Sequence, residues 1–147
     1  ARRRQRLEDD FHLAAVSDAA QFLQAKQDIE NVYLDVDVES YIVDLIQRTR
    51  QNRKIAVGAS PRGSLALFRT AQAKAAMVGR EYVLPDDIKA LVIPTLAHRV
   101  ILGPGARLRD LDAAQIVGEI LQGVPVPGGD PTSGISQATS SQTPSDQ

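Results

Sequence analysis

No cysteine occurs among the 147 residues, which removes disulfides and thiolate metal sites and fits a reducing cytoplasm. Tryptophan is absent too, and aromatics make up only 4% of the chain, with three Phe and three Tyr. Any core must therefore rest on Leu, Ile, Val and Ala, which the 43% apolar content can supply for one domain. No apolar run approaches the roughly 20 residues that cross a bilayer, and no signal-peptide pattern opens the chain. The expectation is a soluble, cytoplasmic protein without a membrane span. Lys and Arg number 17 against 18 acids, a net charge of −1, so bulk attraction to nucleic acid or anionic lipid is not expected.

Glycine and proline are missing from the first 57 residues, which favours long uninterrupted helices. The spacing predicts a helix over 18–31, capped by Ser17, with Ala19, Phe22, Leu23 and Ile29 on one side. The clearest helix covers 37–52, where Val38, Tyr41, Ile42, Leu45, Ile46 and Thr49 recur at helical intervals. A third runs from Pro61 to about Val78, with Leu65, Phe68, Ala71, Ala75 and Val78 inward and Gly79 as its stop. Tyr82-Val83-Leu84 reads as a short extended segment able to pair with Val32-Tyr33-Leu34. Pro85-Asp86-Asp87 opens a fourth helix with acids in its first turn, and Pro94 should kink or split it before Leu96 and His98. After a Gly103-Pro104-Gly105 turn, residues 112–122 form a last amphipathic helix, with Ala113, Ile116, Val117, Ile120 and Leu121 inward and Gly123 as the stop. The fold class is thus all-α: a four- or five-helix bundle with a tiny two-stranded patch. From Gly128 the chain holds no aromatic and one large aliphatic, Ile135. Such a segment cannot offset the entropy of ordering, so 128–147 is expected to be a disordered tail or linker.

The most informative stretch is the loop-to-helix junction IAVGASPRGSLALF at residues 55–68. Ser60 can cap the helix, and Pro61 takes the first helical position, where its missing N–H costs nothing. Arg62 then stands in the first turn, adding a fork-shaped cation to the positive end of the helix dipole. By spacing alone this is a surface arginine pairing with a carboxylate. Yet a cation at that end of a helix is disfavoured unless a strong anion is near, and phosphate fits both the charge and the fork.

Together, GASPRGSLALFRTAQAKAAMVGREYVLPDDIKALVIPTLAHRVIL, RRRQRLEDDF and DVDVESYIVDLIQRTRQNRKIAVGASPR resemble the C-terminal helical lid of MoxR-family AAA+ ATPases. The resemblance covers residues 1–127, and the succession of GASPR, GREYVLPDDI and LAHR carries it. It implies that Arg62 is the sensor 2 arginine, reaching from the lid to the ATP phosphates, with Ser60, Pro61 and Arg62 as the nucleotide-facing edge. One departure is Gly63, where the family pattern has Ala; glycine costs roughly 1 kcal/mol in a helix interior and less in a first turn. The resemblance further implies a cytoplasmic ATPase that uses ATP and Mg2+, assembles as a ring, and remodels or matures client proteins, some bearing von Willebrand factor A domains. Its partners would be its own large nucleotide-binding domain and the neighbouring subunits.

Catalysis inside these 147 residues has no support. No GxxxxGK[ST] loop occurs, nor an apolar run ending in paired carboxylates to hold magnesium. Set beside the resemblance, this implies a fragment, cut near the end of the large nucleotide-binding domain and inactive alone. His12 and His98 lack metal-ligand spacing, and His98 is expected to cap its helix or face an adjacent domain. Asp86 and Asp87 point about 100° apart on a helix, so stabilisation of the helix start explains them better than a metal pair. Ser17, Ser40, Ser60 and Ser64 have no histidine partner for a triad. The bases Arg2, Arg3, Arg4 and Arg6 are cancelled by Glu8, Asp9 and Asp10, while Arg48, Arg50, Arg53 and Lys54 complement the dipole at a helix end. Three rivals remain: a chelatase-like lid, an independent interaction bundle without a nucleotide role, and a helical DNA-binding domain, which the near-neutral charge disfavours.

Overall fold

The densest apolar repeat in the chain, Val38 to Thr49, becomes the central helix of a computed structural model that describes residues 15–128. This helix, α2 (Val36–Gln51), buries Val38, Tyr41, Ile42, Leu45, Ile46 and Thr49, the six positions its periodicity marks. The Asp35 carboxylate caps it by accepting the Asp37 N–H at 2.9 Å, with Asp37 and Glu39 in its first turn and Arg48 and Arg50 in its last. Both charge placements complement the dipole. Before it comes α1 (Ala19–Glu30), and after it β1 (Ile55–Val57) and α3 (Pro61–Met77). Then follow α4 (Pro85–Leu96), a 3-10 turn (Ala97–Arg99), β2 (Ile101–Leu102), α5 (Pro104–Arg107) and α6 (Ala113–Gln122).

Helices α2, α3, α4 and α6 pack around one core, in which Leu45, Leu67, Ile88, Leu96 and Ile116 are fully buried. Ile116, Val117 and Ile120 are the buried stripe of α6, and Gly123 ends it. A further short helix, α5, forms where a turn alone is predicted, because Pro104 at the first helical position lowers the cost of starting one. The architecture is all-α with a tiny antiparallel sheet. That sheet joins β1 to β2, with Ile55 opposite Leu102 and Val57 opposite Ile101. The expected pairing of 82–84 with 32–34 is present as a single parallel bridge between Tyr33 and Tyr82. There Tyr33 N–H donates to the Glu81 carbonyl at 2.8 Å and Val83 N–H to that of Tyr33 at 3.0 Å.

Several local expectations are corrected. Helix α1 buries none of its residues, and Phe22 and Leu23 are exposed. Its cap is Asp18 rather than Ser17, with the Asp18 carboxylate accepting the Gln21 N–H at 2.8 Å. On α3, Leu65 faces solvent, as does Val78 just past its end, while Gly63, Leu67, Ala71, Gln72 and Ala75 are buried. Gly63, Leu67, Ala71 and Ala75 recur every fourth residue, and three of the four are small, so this face lies close against its neighbours. Gln72 is tolerated there because its amide donates to the Val32 carbonyl at 2.7 Å. Pro94 does not split α4, which runs through to Leu96 before tightening into the 3-10 turn. Gly79 does end α3, in the left-handed conformation with φ of 72°. Arg2, Arg3, Arg4, Arg6, His12 and the tail from residue 129 lie outside the described residues.

Candidate functional site

Three residues, Gly58 to Ser60, separate β1 from α3 and set where that helix begins. Ala59 is fully buried, and its N–H donates to Thr49 Oγ1 at 2.9 Å. Its carbonyl accepts from Arg50 Nε, also at 2.9 Å. Gly58 lies so near α2 that a Cβ there would stand 2.6 Å from Arg50 Cα. A Cβ on Gly63 would stand 3.2 Å from Leu96 Cδ2 and 3.4 Å from Ile46 Cδ1. Gly63 therefore seats the first turn of α3 directly on the core.

Ser60, Pro61 and Arg62 come together at the exposed end of α3 thus fixed. Ser60 holds the cap position, but its side chain makes no capping bond; its carbonyl accepts the Gly63 N–H at 2.7 Å instead. Pro61 is at the first helical position, as the sequence predicts. Arg62 is exposed, and no acid stands in the first turn of α3, unlike α2 with Asp37 and Glu39 and α4 with Asp86 and Asp87. A guanidinium and the positive pole of a 17-residue helix thus share one open edge. That arrangement suits an anion supplied from outside the described residues, and a phosphate group matches the fork.

The other singled-out residues are placed elsewhere. Asp87 is buried and accepts from Arg80 Nη2 at 2.8 Å and from the Leu84 N–H at 3.0 Å, with Arg80 Nη1 at 2.8 Å and Lys74 Nζ at 3.6 Å as ion-pair partners. Burial pushes its carboxyl up, but the Arg80 and Leu84 hydrogen bonds and the charges of Arg80 and Lys74 outweigh it. The pKa of Asp87 ends below the usual carboxylate range. Asp86 pairs outward with Lys89 at 2.9 Å, so the two neighbours point at different partners and the helix-start role holds for Asp87. His98 is exposed in the 3-10 turn, and Arg99 is the residue that bonds the end of α4, donating to the Thr95 carbonyl at 3.0 Å. Lys54 pairs with Glu119 of α6 at 2.6 Å. Thr49 and Arg50 as loop anchors were missed: periodicity marks Thr49 only as inward and Arg50 only as a helix-end cation. No described helix is long and apolar enough to cross a membrane.

The family model described as the AAA lid domain matches residues 47–120, from the last turns of α2 to α6. A Bacillus subtilis protein called YeaC is 43% identical over 106 residues, covering 72% of this chain and 33% of its own length. Chaperone MoxR1 of Mycobacterium tuberculosis is 27% identical over 114 residues, or 71% of this chain and 30% of its own. A crystal structure of a Cytophaga hutchinsonii protein assigned as an ATPase superposes with a TM-score of 0.65 at 34% identity, covering 68% of this chain and 33% of that one. The chain thus spans about a third of the length of these relatives. A lid-family match across the core helices, with relatives named MoxR and a solved protein assigned as an ATPase sharing the fold, shows that this chain belongs to the AAA lid domain family and is a helical lid of MoxR type.

Proposed function

We propose that this chain is the nucleotide-sensing lid of an ATP-hydrolysing machine, with Arg62 as the sensor 2 residue that touches the ATP phosphates. The observation that carries the reading is the exposed Arg62 guanidinium at the start of α3, on an edge with no acid in its first turn. Ser60 and Pro61 complete that edge. ATP supplies the phosphate charge that this edge lacks, and Mg2+ is held by residues of the nucleotide-binding domain outside this chain. The lid closes because a triphosphate offers Arg62 contacts that a diphosphate does not, a difference in affinity between two conformations. Closure transmits the nucleotide state to the neighbouring subunit of a ring. The name of the mycobacterial relative, a chaperone, supports remodelling or maturation of client proteins in the cytoplasm; clients with von Willebrand factor A domains are the partner class to test first. Alone, without the phosphate loop, this chain binds no ATP at micromolar concentrations and does not hydrolyse it.

The test is ATP hydrolysis by the intact parent protein carrying Arg62→Ala or Arg62→Lys. Arg62→Ala is expected to lose tenfold or more, about 1.4 kcal/mol of barrier, with the oligomer unchanged by size. Arg62→Lys should fall between, since an ammonium keeps the charge but not the planar fork. Unchanged hydrolysis in both variants would leave a helical interaction module.

A further inference from the structure

The structure assigns a positioning role to Thr49 and Arg50, which set where Arg62 stands by holding the Ala59 peptide; the inference rests on the sensor reading of Arg62. Both polar groups of Ala59 are taken by consecutive residues at the end of α2. The N–H goes to Thr49 Oγ1 and the carbonyl to Arg50 Nε, each at 2.9 Å. The Thr49 hydroxyl has one proton, and it is committed to the Ile46 carbonyl at 2.6 Å. A lone pair is therefore what faces Ala59, and the hydroxyl cannot turn without losing both bonds. Thr49 and Ala59 are buried, at 1% and 0% exposure, so no water replaces these partners.

Close approach reinforces the bonds on both sides of Ala59. Gly58 lies against the Arg50 backbone, and Gly63 against Ile46 and Leu96. The backbone from Gly58 to Gly63 is thus fastened to the last turns of α2, with Arg62 inside the fastened segment. Any rotation of the α2 end carries Arg62 with it. Phosphate contacts depend on such placement, because an error of about 1 Å in a reacting geometry can cost on the order of a hundredfold in rate.

The experiment is a double-mutant cycle on ATP hydrolysis at saturating ATP, in the intact parent protein with its oligomer checked by size. Thr49→Val keeps the shape and removes the hydroxyl; it is expected to lower kcat at least fivefold, and Thr49→Ser to restore it within twofold. In an Arg62→Ala background, Thr49→Val should change kcat by less than twofold, because the residue it positions is gone. A merely structural role would lower kcat equally in both backgrounds, and that result overturns the inference. If Thr49→Val fails to assemble, Arg50→Lys decides by the same cycle, since it keeps the charge at an exposed position while losing the Nε donor. A rate loss for Arg62→Ala with none for either anchor variant sinks the clamp alone. No loss for Arg62→Ala sinks the sensor reading beneath it.

Discussion

At Gly58 a single methyl group decides whether the loop can lie on α2. A Cβ would fall 2.6 Å from Arg50 Cα and 2.7 Å from Arg50 N, backbone atoms that cannot step aside as a side-chain tip can. Gly58→Ala is therefore expected to destabilise the chain by about 1–3 kcal/mol, read as a lower denaturation midpoint; a midpoint unchanged within error would show the approach to be slack. Gly63→Ala meets side-chain atoms alone, Leu96 Cδ2 at 3.2 Å with Ala59 Cβ and Ile46 Cδ1 at 3.4 Å, and helix propensity works in its favour, so its effect should stay within about 1 kcal/mol. Arg62 and Pro61 are legible in the sequence because helix-start chemistry is local, spanning a few neighbouring residues. The Thr49 to Ala59 bond joins residues ten apart, and no local pattern announces it. Ser60 shows the opposite error: the right residue at the cap position, with its side chain unused.

Among the elements, α2 and α6 were readable because their apolar stripes are wide and the residues on them large. The α3 stripe misleads at Leu65, which outweighs Gly63 in any hydrophobic pattern yet faces solvent, while Gly63 is pressed against the core and Phe68 packs partly buried beside it. In α1 the periodicity is real, but a stripe reports an apolar face without reporting whether anything covers it. Leu45→Ala on α2 should accordingly cost about 2–5 kcal/mol, and Leu23→Ser on α1 no more than about 0.5 kcal/mol, in one set of urea titrations. Equal losses would contradict the assigned core. The junction of α3 with α4 depends on Asp87, which ties Lys74 and Arg80 to the Leu84 N–H. Because its folded pKa is depressed, its contribution is fully present above the unfolded carboxylate value near pH 4 and is lost as pH falls through the folded value. Asp87→Asn should cost about 1–3 kcal/mol at neutral pH and flatten the loss of stability below about pH 4. An unaltered acid limb in that variant would mean that other carboxylates set it.

For the whole molecule, the all-α class followed from where glycine and proline are absent and where they cluster. The sheet was harder. Ile55 and Leu102 pair across the chain, and three-residue and two-residue strands leave too little alternation to read. The lid's identity lay in its loop and helix-start residues more than in its core, which many helical bundles could share. One feature of the loop bears on how the molecule moves. Ala59 N–H is buried and bonded to a hydroxyl that is itself held, so its proton should trade for deuterium only when the domain unfolds globally. A connector that by type belongs with the fastest-exchanging amides would then keep time with the slowest, leaving side-chain rotamers as the only freedom of Arg62 within the lid.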